Sequence, residues 1–199
     1  MTIDLRLRDD LMAMRDADQA VRQAVASSVD PVRDGSADPA ALDARNTGRL
    51  REIITAGGWP SEARVGRDGS HAAWLIVQHA RHDPAFQRRC LDLILDTPGH
   101  GLDPLQIALL TDAVAVGEGE PELFGSQGSL RVHDPERVDE RRREVGLGPL
   151  QAHLAQLQRW RRNPDGSVRR FAVIYGAWVE VPPDYDPAGI DGAGLLSRS

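Results

Sequence analysis

At 199 residues the chain is long enough for one well-packed domain and cramped for two. Its 24 basic residues are all arginine, its 30 acidic residues outweigh them, and the net charge of −6 argues against a nonspecific binder of phosphate backbones. The single cysteine, Cys90, excludes an internal disulfide and a thiol-built zinc site. No apolar run reaches membrane-spanning length, and the opening MTIDLRLRDD lacks the apolar core of a signal peptide. The expectation is a cytoplasmic protein with neither a nucleic-acid nor a membrane partner.

In chain order, residues 3–27 read as a first helix. Leu7, Leu11, Met14, Val21 and Val25 recur on one face, and Arg and Asp fill the other. The turn-rich stretch SSVDPVRDGSADP (27–39) ends it. A second helix runs from about Pro39 to Ala56 and stops at Gly57-Gly58. WPSEARVGRDGS reads as a connection, and a central helix starts near Ser70 and runs to about Arg81. Asp83-Pro84 is a helix-start signal, with Asp83 as the cap and Pro84 at the first helical position. That helix carries Leu91, Ile94 and Leu95 and ends at Pro98-Gly99. Asp103-Pro104 repeats the signal for a helix to about Val116. EGEPELFGSQGSLRVHD is irregular, and Pro135–Leu147 and Pro149–Trp160 are two further helices. The β-branched and aromatic run from Phe171 to Val181, after the turn signal Asn163-Pro164-Asp165-Gly166, predicts a hairpin or strand. Residues 182–199 hold too little apolar content to order themselves. The expected fold is mainly α: a single helical domain over 1–181, packed around the 70–81 helix, with a small β element near 169–181 and a flexible tail.

The stretch HAAWLIVQHARHDPAFQ (71–87) carries the sharpest functional signal. Nine uncharged residues from Ala72 to Ala80 predict a buried helix, yet Gln78 and His79 sit inside it. A buried amide or imidazole without a partner costs about 1–3 kcal/mol. The pair therefore either knits the core or faces a cavity. His79 can be a satisfied core histidine, a ligand-gripping group or a general acid/base, since imidazole is readily tuned to transfer protons near neutral pH. Asp112, on a neighbouring helix, is the candidate to orient it. His79 and His82 at i and i+3 invite a metal reading, but Asp83 has a sufficient role as helix cap and His71 lies at the polar start of the helix. No metal and no cofactor are expected. Gln127, in the Gly-flanked FGSQG, is either a ligand-contacting amide or one that fixes its own turn. Arg141, Arg142 and Arg143 spread round the helix at about 100° per residue and cannot share one pocket; most belong to a solvated face. Trp59 and Trp74 read first as core, with Trp74 also carried as a candidate substrate contact. Cys90, in an apolar-periodic segment, reads as core. No Gly-rich phosphate loop, GxSxG elbow or CxxC is present, which removes the nucleotide-binding, serine-hydrolase and thiol-redox classes.

Several ordered blocks stand out together: GWP (58–60), VG (65–66), AAWLIVQHARHDPAFQ (72–87), LLTDAV (109–114), FGSQ (124–127) and VDERRREVGLGPL (138–150). From about Asn46 to Leu154 this pattern resembles DUF6624, a family of bacterial domains of unknown function. The resemblance places Gln78, His79, Asp112, Gln127, Asp139, Arg141 and Arg142 at the family's characteristic polar positions, and it singles out Arg142 as the arginine that points inward to a carboxylate such as Asp112 or Asp139. It implies no particular reaction. Three departures stand out: Ala113 occupies the position of an arginine, Phe124 and Ser126 replace a tyrosine and a threonine, and Arg81 replaces an aspartate.

Together these readings predict a small cofactor-independent enzyme, in a bacterial biosynthetic or metabolic setting, that acts on a polar small-molecule substrate by hydrolysis, cyclisation or isomerisation. His79 would be the acid/base, with Gln78, Asp112, Gln127, Arg142 and Trp74 around the substrate. The other reading is a non-catalytic helical interaction module whose polar core only specifies packing.

Overall fold

The fold is mainly α. The computed structural model describes residues 2–27, 38–128, 131–156, 159–162, 168–174 and 177–181. Among these residues the elements are α1 (Leu5–Ser27), α2 (Pro39–Gly57), α3 (Glu62–His79), α4 (Pro84–Asp96), α5 (Pro104–Glu118), a 3-10 turn (Pro135–Arg137), α6 (Val138–Glu144), α7 (Leu150–Gln156), β1 (Arg159–Arg162), β2 (Val168–Ile174) and β3 (Ala177–Val181). No described helix is long and apolar enough to cross a membrane. The chain divides into two compact units, Met1–Gln106 and Ile107–Ser199.

The first unit is built on α3, which packs against α1, α2 and α4. Its uncharged stretch is the reason: Ala72, Ala73, Ile76, Val77 and Ala80 are buried, and such burial stabilises at about 25 cal/mol per Å² of apolar surface. Leu11 and Met14 of α1, Leu50, Ile53 and Ile54 of α2, and Phe86, Cys90, Leu91 and Ile94 of α4 complete the core. The helix starts follow their signals. The Asp38 carboxylate accepts from the Ala41 amide at 2.9 Å and Asp83 from the Phe86 amide at 3.0 Å, each with a proline in the first turn. Asp103 does the same for the Gln106 amide at 2.9 Å. Gly58, at φ 71°, turns the chain out of α2 while its N–H still reaches the Ile54 carbonyl.

The central helix begins earlier than the sequence suggests. It starts at Glu62 and is broken once, at Gly66, where φ 74° and ψ 162° interrupt the helical path. A Cβ there would meet an Asp68 carboxylate oxygen at 3.1 Å, and the conformation itself is open essentially to glycine alone. The turn 62–65 is thus helical, and the expected connection shrinks to the few residues around Trp59 and Pro60.

In the second unit the described residues between Glu118 and the 3-10 turn are irregular, apart from a parallel bridge between Glu122 and Val132. Gly125, at φ 63°, lies so close to Leu150 that an added Cβ would meet its Cδ1 at 2.6 Å. The helix expected over 149–160 ends at Gln156, and Trp160 lies in a strand instead. The expected hairpin is a three-stranded antiparallel sheet in the order β1-β2-β3, with Arg159 opposite Phe171 and Phe171 opposite Glu180. The extra strand forms because Arg159–Arg162 finds an antiparallel partner in the next strand, β2, a pairing that helical propensity does not register. The turn signal at 163–166, the turn-rich 28–37 and the tail 182–199 lie outside the described residues.

Candidate functional site

His79 is the last residue of α3, and its ring is one-fifth exposed. Nδ1 lies 3.0 Å from Asp18 Oδ1 and 2.9 Å from Oδ2. Asp18 comes from α1, and its side chain is only 2% exposed. One helical turn further along, Arg22 brings its Nε within 3.1 and 3.3 Å of the two Asp18 oxygens and 3.0 Å of His79 Nδ1. The same guanidinium donates through Nη2 to Asp43 Oδ1 of α2 at 2.6 Å. Gln19 Nε2 adds a 2.9 Å bond to Asp18 Oδ2. Three helices therefore converge on one imidazole.

Burial by itself would raise the Asp18 carboxyl. The hydrogen bond and charge of His79, followed by those of Arg22, outweigh burial and hold it below the ordinary carboxylate range. Asp18 is therefore an anion at neutral pH, in place to orient the ring through Nδ1. Among the described residues every contact of the imidazole runs through Nδ1, leaving Nε2 for an outside partner. A carboxylate on one imidazole nitrogen and an open second nitrogen is an arrangement suited to general acid/base work.

Asp18, Asp43 and His79 are also the group, among the described residues, that could hold a metal ion, with one donor atom each and all three within 4.8 Å of one another. Arg22 lies against every one of them and already supplies the cation. Two carboxylates and one guanidinium leave one negative charge for the imidazole to face.

Gln78 is nine-tenths buried. Its carbonyl, with that of Val77, faces the Gln87 amide, whose Nε2 donates to Val77 O at 2.9 Å and to Gln78 O at 3.4 Å. Among the described residues no hydrogen bond reaches the Gln78 side-chain amide. Trp74 is buried and spends its indole N–H on the Gln106 carbonyl at 2.9 Å, which is what a core tryptophan does. Trp59 likewise bonds the His100 carbonyl at 3.1 Å. His71, one turn before Trp74 in α3, has its ring 5.4 Å from that of the tryptophan. His82 is exposed. A cleft of about 660 Å³ lies elsewhere in the same unit, between Leu7, Arg49, Ile53 and Arg64, and His79 does not line it.

The remaining candidates belong to the second unit, where they hold a loop. Asp112 is fully buried. Its Oδ1 accepts the amides of Leu123 at 2.8 Å and Phe124 at 3.0 Å, and its Oδ2 accepts that of Ser126 at 2.8 Å. The carboxylate that orients His79 is thus Asp18, and Asp112 serves the FGSQ segment. Glu122, also fully buried, accepts the Gln127 amide at 2.6 Å. Gln127 Nε2 donates to the Leu109 carbonyl and to Ser126 Oγ, both at 3.2 Å, so its amide fixes the turn. Arg142 is 1% exposed, which agrees with the inward arginine of the resemblance. Its direct partners are carbonyls and not carboxylates: Gly148 O from Nε and Phe124 O from Nη1, each at 2.5 Å. Burial lowers its pKa, against the raising charges of Asp139, Asp112 and Glu122. Arg141 bonds the carbonyls of Leu123, His133 and Asp134, and Asp139 accepts the Leu150 amide at 2.8 Å. His153, with Nε2 3.3 Å from Ser126 O, is pushed below its ordinary pKa by burial and by the Arg142 charge.

Asp18, Arg22 and Asp43 were absent from the candidates read off the sequence. A signal for Asp18 exists: the apolar stripe of α1 runs 7, 11, 14, then 21 and 25, and Asp18 fills the vacant step. A charge at a core position calls for a partner.

No curated protein and no solved structure shows significant similarity to the chain. The family match covers residues 5–160, which extends the resemblance of 46–154 over α1 and so takes in Asp18, Arg22 and Asp43. The chain belongs to the DUF6624 family, a family of unknown function.

Proposed function

We propose that the protein is a small cofactor-independent enzyme in which His79 transfers a proton to or from a polar small-molecule substrate, in a hydrolysis or in a cyclisation or isomerisation. The observation that carries this reading is the Asp18–His79 contact, which uses Nδ1 and leaves Nε2 open on a partly exposed ring. The neighbouring Gln78 amide, with no hydrogen bond among the described residues, is the group to hold a polar substrate beside it. Asp112, Gln127, Arg142 and Trp74 drop out of the reacting set, because their polar atoms serve the fold.

Carbethoxylation with peptide mass mapping tests the open nitrogen directly: His79 should react readily despite its partial burial. Turnover of a panel of polar esters, lactones and enolisable carbonyl compounds then tests the chemistry. His79→Ala should lose any turnover found while remaining folded by circular dichroism. A folded His79→Ala protein with wild-type turnover rejects the proposal.

The second reading, a helical interaction module, draws on two observations. His79 does not line the 660 Å³ cleft, and the polar residues of the second unit are engaged in holding a loop. A His79→Ala protein that is unfolded, together with a wild-type ring inert to carbethoxylation, favours that module.

A further inference from the structure

One nitrogen of His79 faces two claims that exclude each other. Nδ1 lies 2.9–3.0 Å from the Asp18 carboxylate and 3.0 Å from the Arg22 Nε–H. A neutral imidazole carries either a proton or a lone pair there, never both. If Nδ1 holds the lone pair, it accepts from Arg22 and turns that lone pair on a buried anion. If Nδ1 holds the proton, it donates to Asp18, and the Arg22 Nε–H turns to the same carboxylate, 3.1 and 3.3 Å away. The second arrangement gives Nδ1, Asp18 and the Arg22 Nε–H each a partner. In the first, two electron-rich groups meet where the 2% exposure of Asp18 leaves little solvent to screen them.

The outcome depends on where the guanidinium sits. Asp43 anchors its far end at 2.6 Å, so the Nε–H is held where it can reach the Asp18 carboxylate, at 3.1 and 3.3 Å, as well as Nδ1, at 3.0 Å. Gln19 supplies a further donor to Asp18. Among the described residues the charged and titratable groups that contact His79 are therefore Asp18 and Arg22 of α1, with Asp43 of α2 acting through Arg22.

We propose that Arg22, anchored by Asp43, is a positioning residue for His79: it fixes the ionised Asp18 against Nδ1, so that the neutral ring carries its proton on Nδ1 and presents Nε2 as a base. This rests on the acid/base reading for its functional meaning and gives that reading a direction. A neutral ring in that tautomer takes a proton from the substrate first and returns it afterwards.

The test is the ring tautomer, which needs no substrate. In protein labelled with 15N-histidine, and assigned by loss of one signal set in His79→Gln, the neutral ring should show a protonated Nδ1 and an unprotonated Nε2. Asp43→Asn, which loosens the anchor without emptying the cluster, should shift the population measurably toward the Nε2–H tautomer. Arg22→Gln should shift it further, and Arg22→Lys should restore part of the effect through charge alone. An Nε2–H tautomer in the wild type overturns the proposal. So does an unchanged tautomer in Asp43→Asn, should Arg22→Gln fail to fold. Either result leaves His79 able to serve as a general acid, so failure here is distinct from failure of the enzyme reading, which carbethoxylation and turnover decide.

Discussion

Replacing Asp112 by alanine removes a fully buried carboxylate that accepts three backbone amides at 2.8, 3.0 and 2.8 Å. Hydrogen bonds to a charged acceptor contribute about 1.5–3 kcal/mol each, and a buried donor left unmade costs a similar amount. The three are not additive, because a freed 122–127 segment can turn its amides toward water. The net loss should therefore be about 3–5 kcal/mol, as for the removal of one partner from a buried charged network. For a chain of this length that corresponds to roughly 6–20 °C in Tm. Asp112→Asn keeps one oxygen for two of the amides and sets an NH2 group against the third, so its loss should be smaller, about 1.5–3 kcal/mol. Urea unfolding followed by circular dichroism gives both values. A cooperative transition for Asp112→Ala within about 1 kcal/mol of wild type would refute the view that this carboxylate holds the loop.

Purified protein should carry no stoichiometric transition metal by elemental analysis, because Arg22 already serves Asp18 and Asp43 as their cation; near-unit zinc that disappears in His79→Ala would reverse this. Asp18 has a folded pKa below its ordinary 3.8, so its stabilisation is complete above that value and is lost as pH falls through the folded one. Asp18→Asn should accordingly flatten the acid limb of a stability curve below about pH 4. His153, pushed below 6.5 by burial, opposes folding increasingly as pH drops beneath 6.5, because the unfolded chain then binds the extra proton. His153→Gln should lessen that decline, read from Tm against pH. Truncation after Val181 should leave Tm nearly unchanged, whereas truncation after Val168 removes most of β2 and all of β3, including the buried Val181, and should lower it.

Sequence reading went furthest where one local rule decides. Asp83-Pro84 and Asp103-Pro104 start helices because cap and proline act within a single turn, and Gly57-Gly58 stops one for the same reason. The uncharged run of α3 marked the buried centre. It fails where a single backbone angle or a partner in another segment decides. Gly66 looked like a loop glycine, but one residue with positive φ breaks a helix without ending it. Trp160 continues a helical pattern, yet pairing with β2 claims it. His79 was found because an imidazole is conspicuous among alanines and valines. Its partner lies outside the family's characteristic polar residues, 61 positions earlier at the vacant step of an apolar stripe. Asp112, Gln127 and Arg142 stood out equally well, and nothing in one dimension separates a charge that meets substrate from one that ties down a loop.

The interior position of Cys90 has a practical side. Cys90 is closed off from solvent, and burial pushes its thiol up to about 12, so at neutral pH it carries far less thiolate than an exposed cysteine. Alkylating reagents, peroxide and glutathione all act on that thiolate. The folded chain therefore behaves as a cysteine-free protein, and a single cysteine placed on its surface would be the sole point of attachment for a dye or spin label. The converse is equally useful. Modification of Cys90 reports the opening of α4, which makes the rate of thiol labelling a clock for unfolding of the core.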